Sequence, residues 1–221
     1  MTSAPISLPG RTVIFDYGGV ISLPQSAADL DVIAGLAGVG RDSEPFWRAY
    51  HAHRDALDQG SAGVAAYWRA IADDVGTSWD DARTHELWAA DFRSWLSINP
   101  DTIEVLADLK AGDTRLALLS NAGPDLGSYL RCGLLGDFFA ACYVSGELGL
   151  LKPQPEIYRH VLDGLGISAA EAVFIDDRDA NVRGAQALGI TGHQFTGVTA
   201  LRAFLKSLSD CPSEYRPPGR L

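Results

Sequence analysis

Three stretches of this chain carry apolar residues in a continuous run that does not alternate with polar ones: "TVIF" at 12–15, "RLALLS" at 115–120 and "AVFI" at 172–175. A strand with one solvated face alternates apolar and polar side chains, whereas a strand covered on both faces has no need to. These runs therefore predict a parallel sheet with helices on either side. "ACYVS" at 141–145 and "TGHQF" at 191–195 read as weaker strands.

Helical patterns separate them. Asn99 before Pro100 and Asp101 opens a helix carrying Ile103, Leu106 and Leu109, and Gly112 closes it. Ile157, Val161 and Leu165 form one helical stripe ending at Gly166. Ser168 with Glu171 is a capping-box pattern. From residue 99 onward helices and strands alternate, which predicts a doubly wound, Rossmann-like α/β fold whose ligands lie beyond the carboxyl ends of the strands. The stretch from about 24 to 96 has no convincing strand run. It reads as helices over "AADLDVIAGLAG", "SEPFWRAYHAHRDAL", "AGVAAYWRAIADDVG" and "WDDARTHELWAADFRSWL", and it holds all five tryptophans, Trp47, Trp68, Trp79, Trp88 and Trp95. The expected organisation is an α/β core from residues 1–22 and 97–208, a helical insertion over 23–96 with an aromatic core of its own, and a Pro-rich tail over 209–221.

Charge and cysteine content narrow the function classes. The formal charge is −10, from 28 acidic and 18 basic residues, and the basic residues are scattered. Nucleic acid and anionic membranes need clustered Lys and Arg, so neither is expected as a partner. No apolar run reaches the ~18 residues of a membrane span, and "MTSAPISLPGR" has no charged leader. The three cysteines, Cys132, Cys142 and Cys211, lack metal-ligand spacing and fit free thiols in a reducing cytoplasm.

Four stretches at strand ends carry chemistry: Asp16 in "FDYGGV", Ser120 and Asn121 in "LLSNAG", Lys152 in "LLKPQPEIY", and Asp176 with Asp177 in "VFIDDRDAN". If the sheet gathers them at one edge, three carboxylates repel one another unless a cation or protons neutralise them. An all-oxygen donor set without His or Cys suits magnesium better than zinc. A hydroxyl, an amide and an ammonium add donors and positive charge, which together describe a site for a phosphoryl group. Asp16 is then the expected nucleophile, splitting hydrolysis into formation and hydrolysis of a phospho-aspartate.

The ordered set resembles the four motifs of the haloacid dehalogenase-like hydrolase superfamily, from about residue 12 to 206, and the insertion resembles its helical cap. "FDYGGVIS", "FWRAYHAHRDALDQG", "YWRAIA", "LALLSNA" and "LKPQPEIY" are similar to the branch holding sugar-phosphate phosphatases and the N-terminal phosphatase domain of soluble epoxide hydrolases. The resemblance implies Asp16 as nucleophile and metal ligand, with the Gly18 carbonyl as a second ligand. Lys152 would steady the nucleophile, Asp176 and Asp177 would hold Mg²⁺, and Ser120 would bind phosphate with Asn121 beside it. Tyr17 and Gly19 complete the expected substrate-binding set. A small phosphorylated metabolite is the implied substrate, and the protein is expected to be a cytoplasmic monomer or homodimer.

Gly18 departs from the family's "DxD" pattern, in which the second aspartate protonates the leaving oxygen and then activates water. Such general acid–base help is typically worth ~10²–10⁴-fold, or roughly 3–5 kcal/mol. Two rivals follow: a weak or inactive phosphometabolite binder, and a metal-free haloacid dehalogenase, against which the acidic pair at 176–177 argues. Phosphonate-cleaving relatives need a cap lysine, and residues 22–98 contain none. Tyr17 is a candidate replacement acid, although its position next to Asp16 turns it toward the cap. Asp179 and Asn181 read as the start of a helix, with Asn181, four residues after Asp177, able to brace it as the alternative. His51, His53 and Arg54 are cap residues that face solvent, pair with Asp55 and Asp58, or meet the substrate.

Overall fold

A computed structural model describes residues 5–210; the rest of the expected tail, with Cys211, lies outside the described residues. β1 (Thr12–Phe15), β2 (Arg115–Ser120), β3 (Ala141–Val144), β4 (Ala172–Asp176) and β5 (Thr191–Gln194) form one sheet. All neighbours are parallel, and the order is β3-β2-β1-β4-β5. The continuous apolar runs are explained by cover on both faces. Val13, Phe15, Leu116, Leu118, Val173 and Ile175 point into one core and Ile14, Ala117, Leu119 and Phe174 into another.

Between β1 and the rest of the sheet lie α1 (Ala27–Ala37), α2 (Glu44–Ala52), α3 (Arg54–Asp58), α4 (Val64–Val75) and α5 (Asp81–Ser94). They enclose a third core of Ile33, Phe46, Tyr50, Tyr67, Trp68, Ile71 and Leu87. The segments entering and leaving this bundle run antiparallel. Leu23 N–H donates to the Ser97 carbonyl (2.7 Å) and Asn99 N–H to the Ile21 carbonyl (2.9 Å).

The single helix expected over 43–57 is two, parted at His53. The Tyr67 hydroxyl donates to the Tyr50 carbonyl (2.8 Å), the acceptor a continuous helix would offer to the Arg54 N–H, and the ladder breaks there.

The remaining helices are α6 (Pro100–Ala111), α7 (Pro124–Cys132), α8 (Ser145–Leu148), α9 (Pro155–Leu165), α10 (Asp179–Gln186) and α11 (Val198–Ser209). Asn99 caps α6 by accepting from the Asp101 and Thr102 N–H groups, and the Ser168–Glu171 capping box closes on a short 3₁₀ turn before β4. α11 runs through residue 209, where the tail was expected to begin.

Candidate active site

The order β3-β2-β1-β4-β5 reverses at β1. The chain leaves β1 to build β2 and β3 on one side, then returns to add β4 and β5 on the other. Loops diverge there and leave a crevice beyond the carboxyl ends. Asp16 follows β1 directly, its N–H bonded to the Ile175 carbonyl (2.8 Å), while Ser120 ends β2 and Asp176 ends β4.

Carboxylate oxygens of Asp16, Asp176 and Asp177 lie within 4.8 Å of one another. Lys152 answers part of this charge. Its Nζ contacts Asp16 Oδ1 at 2.7 Å and Asp176 Oδ2 at 2.8 Å and donates to the Leu119 carbonyl at 2.9 Å. Burial opposes the ammonium, but the two aspartates outweigh it and hold Lys152 above the ordinary lysine range. Burial pushes Asp16 up to about 7 against the pull of Lys152, with Asp176 and Asp177 adding to the rise. Burial and Asp176 also raise Asp177. Three carboxylates against one ammonium leave a negative excess made only of oxygen donors, which fits a divalent hard cation such as Mg²⁺.

Asp16, Tyr17, Gly18, Gly19, Ser120, Asn121, Lys152 and Asp177 line this crevice, with Asp176 buried behind them against Lys152, though not always in the expected posture. Asn121 spends its amide on the main chain of Lys152: Nδ2 donates to the Lys152 carbonyl and Oδ1 accepts the Lys152 N–H, both at 2.9 Å. It pins the two loops together and thereby sets where the ammonium points. Asn181 braces Asp176 instead of Asp177, its amide 3.0 Å from each carboxylate oxygen. The Arg178 N–H adds a third bond to Asp176 at 2.8 Å. Ser120 is buried at the crevice floor.

The double glycine has two different explanations. Gly19 has φ +71°, which calls for glycine, and a β-carbon there would stand 2.6 Å from Asp177 Oδ2 and push that carboxylate aside. Gly18 has no such need: a β-carbon would meet only the Trp95 ring, at 3.7 Å. The Tyr17 hydroxyl donates to the Trp95 carbonyl at 2.8 Å, and burial holds its pKa above the ordinary phenol range. Tyr17 is thereby a structural tie between the strand-end loop and the insertion.

Helices α2, α3 and α5 roof the crevice, leaving a cavity of about 330 Å³. Two stripes at helical spacing line it: Trp88, Asp91, Phe92 and Trp95 from α5 and its end, and Tyr50, Arg54, Leu57 and Asp58 from α2 and α3. Arg54 binds Asp58 at 3.0 Å and Asp91 at 2.9 Å, and the Tyr50 hydroxyl donates to Asp91. Burial pushes Asp58 up to about 6 despite Arg54. His51 lines the cavity, whereas His53 faces outward to Asp74 at 2.9 Å. Sequence reasoning missed Asp91 and Gln25 at this wall. The available signal was a polar residue, Asp91, inside an aromatic stripe at i, i+3, i+4, i+7. The roof is tied down by Ser145 Oγ donating to the Asp58 carbonyl (2.5 Å) and Trp88 Nε1 donating to Asp125 (2.9 Å).

Comparison with known proteins supplies the family. The model of the haloacid dehalogenase-like hydrolase family matches residues 11–189. The chain is 27% identical over 205 residues to the sesquiterpene phosphatase astK of Aspergillus oryzae, covering 91% of this chain and 97% of that protein. It is 29% identical over 190 residues to an (S)-2-haloacid dehalogenase of Xanthobacter autotrophicus, covering 82% and 73%. A HAD family enzyme of Bacteroides thetaiotaomicron, crystallised with magnesium and inorganic phosphate, superposes with a TM-score of 0.65 at 24% identity, covering 83% and 93%.

Proposed function

Because the chain belongs to the haloacid dehalogenase-like hydrolase family, we propose that it is a magnesium-dependent phosphatase that acts on a small phosphorylated metabolite through a phospho-aspartate at Asp16. The observation that carries this reading is the convergence of Asp16, Asp176 and Asp177 around one point beside Lys152. A metal-free dehalogenase has no use for a three-carboxylate cluster, and phosphatases as well as dehalogenases stand among the relatives. Among the described residues no helix is long and apolar enough to cross a membrane.

In this reading Asp16, Asp176, Asp177 and the Gly18 carbonyl hold Mg²⁺. The ion supplies a Lewis acid that neutralises charge on the phosphoryl oxygens. An Asp16 carboxylate oxygen attacks phosphorus, the bond to the leaving oxygen breaks, and water later cleaves the acyl phosphate to return Asp16 and release phosphate. Lys152 pulls Asp16 toward its ionised form and aims it, and Asn121 fixes Lys152 by its main chain. The Ser120 hydroxyl donates to a phosphate oxygen. With Tyr17 tied to Trp95 and glycine at 18, the leaving oxygen takes its proton from water.

The test is hydrolysis of p-nitrophenyl phosphate with Mg²⁺ and with a chelator, in wild type and Asp16→Asn. Turnover should vanish with the chelator and in the variant. Undiminished hydrolysis by Asp16→Asn, or halide release from a haloacid without metal, would reject the reading. The second reading, a phosphate-ester binder with little turnover, is favoured by Gly18 alone and predicts binding without hydrolysis.

A further inference from the structure

We infer that the organic part of the substrate is uncharged and mainly apolar, an aryl or branched hydrocarbon phosphate instead of a sugar or polyol phosphate; this rests on the phosphatase reading above. The roof over Asp16 is aromatic and aliphatic: Leu57, Val64, Trp88, Phe92, Trp95 and Leu126 line the cavity. Trp88 and Phe92 pack with ring centroids 5.9 Å apart, and Phe92 meets Tyr129 edge-on at 6.0 Å. The Trp95 ring also stands over Gly18, beside the nucleophile.

The polar side chains of the roof already satisfy one another. Arg54 is held between Asp58 and Asp91. Tyr50 donates to Asp91, and the Gln25 amide donates to Tyr50 Oη (3.2 Å) and Ser94 Oγ (2.7 Å). Asp125 accepts the Trp88 N–H and the Leu126 N–H. Apart from the His51 ring, which lines the cavity outside this network, sugar hydroxyls meeting this wall would lose water without gaining free partners, a cost a hydrocarbon does not carry. A second anionic group fares worse, because two carboxylates around one guanidinium leave the polar part of the roof negative. Burial, and then the charge of Arg54, lower the pKa of His51, so it adds no strong attraction for a second anion.

The experiment compares four primary alkyl esters: 2-phenylethyl and citronellyl phosphate against glycerol 3-phosphate and ribitol 5-phosphate. Each competes with p-nitrophenyl phosphate in the Mg²⁺-loaded enzyme, so that an inhibition constant is obtained whether or not the ester turns over. Covering about 100 Å² of hydrocarbon at ~25 cal/mol per Å² corresponds to roughly fiftyfold tighter binding of the apolar pair. Phe92→Ala should narrow that ratio about tenfold and Phe92→Leu by less. Equal or tighter binding of the polar pair overturns the inference and leaves the phosphatase reading intact. If p-nitrophenyl phosphate itself is not hydrolysed, the phosphatase reading fails separately. Titration of the intrinsic tryptophan fluorescence with the same four esters then decides the preference, and no difference between the pairs overturns it.

Discussion

Replacing Lys152 with methionine removes one ammonium from between two buried carboxylates, and the structure sets both the size and the pH dependence of the damage. The lysine side chain is 1% exposed, Asp16 9% and Asp176 0%. Breaking a buried pair from one side typically costs ~3–5 kcal/mol, because the remaining charge is left without an answer. The two carboxylates are not equally exposed to that loss. Asp176 keeps both bonds from the Asn181 amide and one from the Arg178 N–H, whereas Asp16 keeps only the Tyr17 N–H at 2.7 Å. Asp16 therefore takes up the proton, and its carboxyl, already at about 7 with the lysine present, rises further. The folded variant then carries a proton that the unfolded chain has released, so its stability falls as pH rises, by up to ~1.4 kcal/mol per pH unit. In wild type that fall levels off above about pH 7. Urea unfolding in chelator, followed by tryptophan fluorescence, should give a deficit of about 3–5 kcal/mol at pH 8.5 and one smaller by roughly 2 kcal/mol at pH 6. Asp16→Asn in the same chain should recover part of it. A deficit below about 1 kcal/mol at pH 8.5, or an equal deficit at both pH values, would refute the claim that Lys152 is held in place by charge.

A β-carbon at residue 18 stands at ordinary contact distance from Trp95, so Gly18→Asp should raise turnover of esters with poor leaving groups by about 10²-fold or more, with little gain on p-nitrophenyl phosphate; a flat leaving-group dependence would mean that the proton already has a source. Gly19→Ala must strain a backbone at φ +71° and displace Asp177, so Mg²⁺ affinity measured by calorimetry should fall about tenfold or more, and unchanged affinity would remove Asp177 from the metal set. Because Asp16 must lose its proton to hold metal, apparent Mg²⁺ affinity should weaken about tenfold per pH unit below about 7, and a pH-independent affinity between 5.5 and 7 would contradict the burial-raised carboxyl.

What could be read in the chain and what could not divide along a physical line. Strand cores were legible because a two-sided cover demands uninterrupted hydrocarbon over a few residues, and "TVIF", "RLALLS" and "AVFI" are that pattern. The caps at Asn99 and Ser168 were legible because a helix start satisfies its own N–H groups within three residues. Asp16, Ser120 and Asp176 stood out because polar groups that end buried strands are costly unless they have work to do, and Lys152 because an ammonium beside them answers their charge. Partners far apart in sequence were beyond such local rules. The choice of Asp176 over Asp177 by Asn181, the claim of Lys152's main chain on the Asn121 amide, and the break at His53 forced by a hydroxyl from α4 each depend on where two elements meet.

The sequence by itself determined the layers of the fold and the carboxylates at its crevice, because hydrophobic period and local capping act over a few residues. Only the tertiary structure decided that a side chain at Gly19 would displace Asp177 while Gly18 is open beneath Trp95, that Tyr17 spends its hydroxyl on the insertion, and that the charged residues of the roof pair with one another. Those outcomes are contacts across dozens of residues, and a hydrogen bond or ion pair is settled by the position of both its ends.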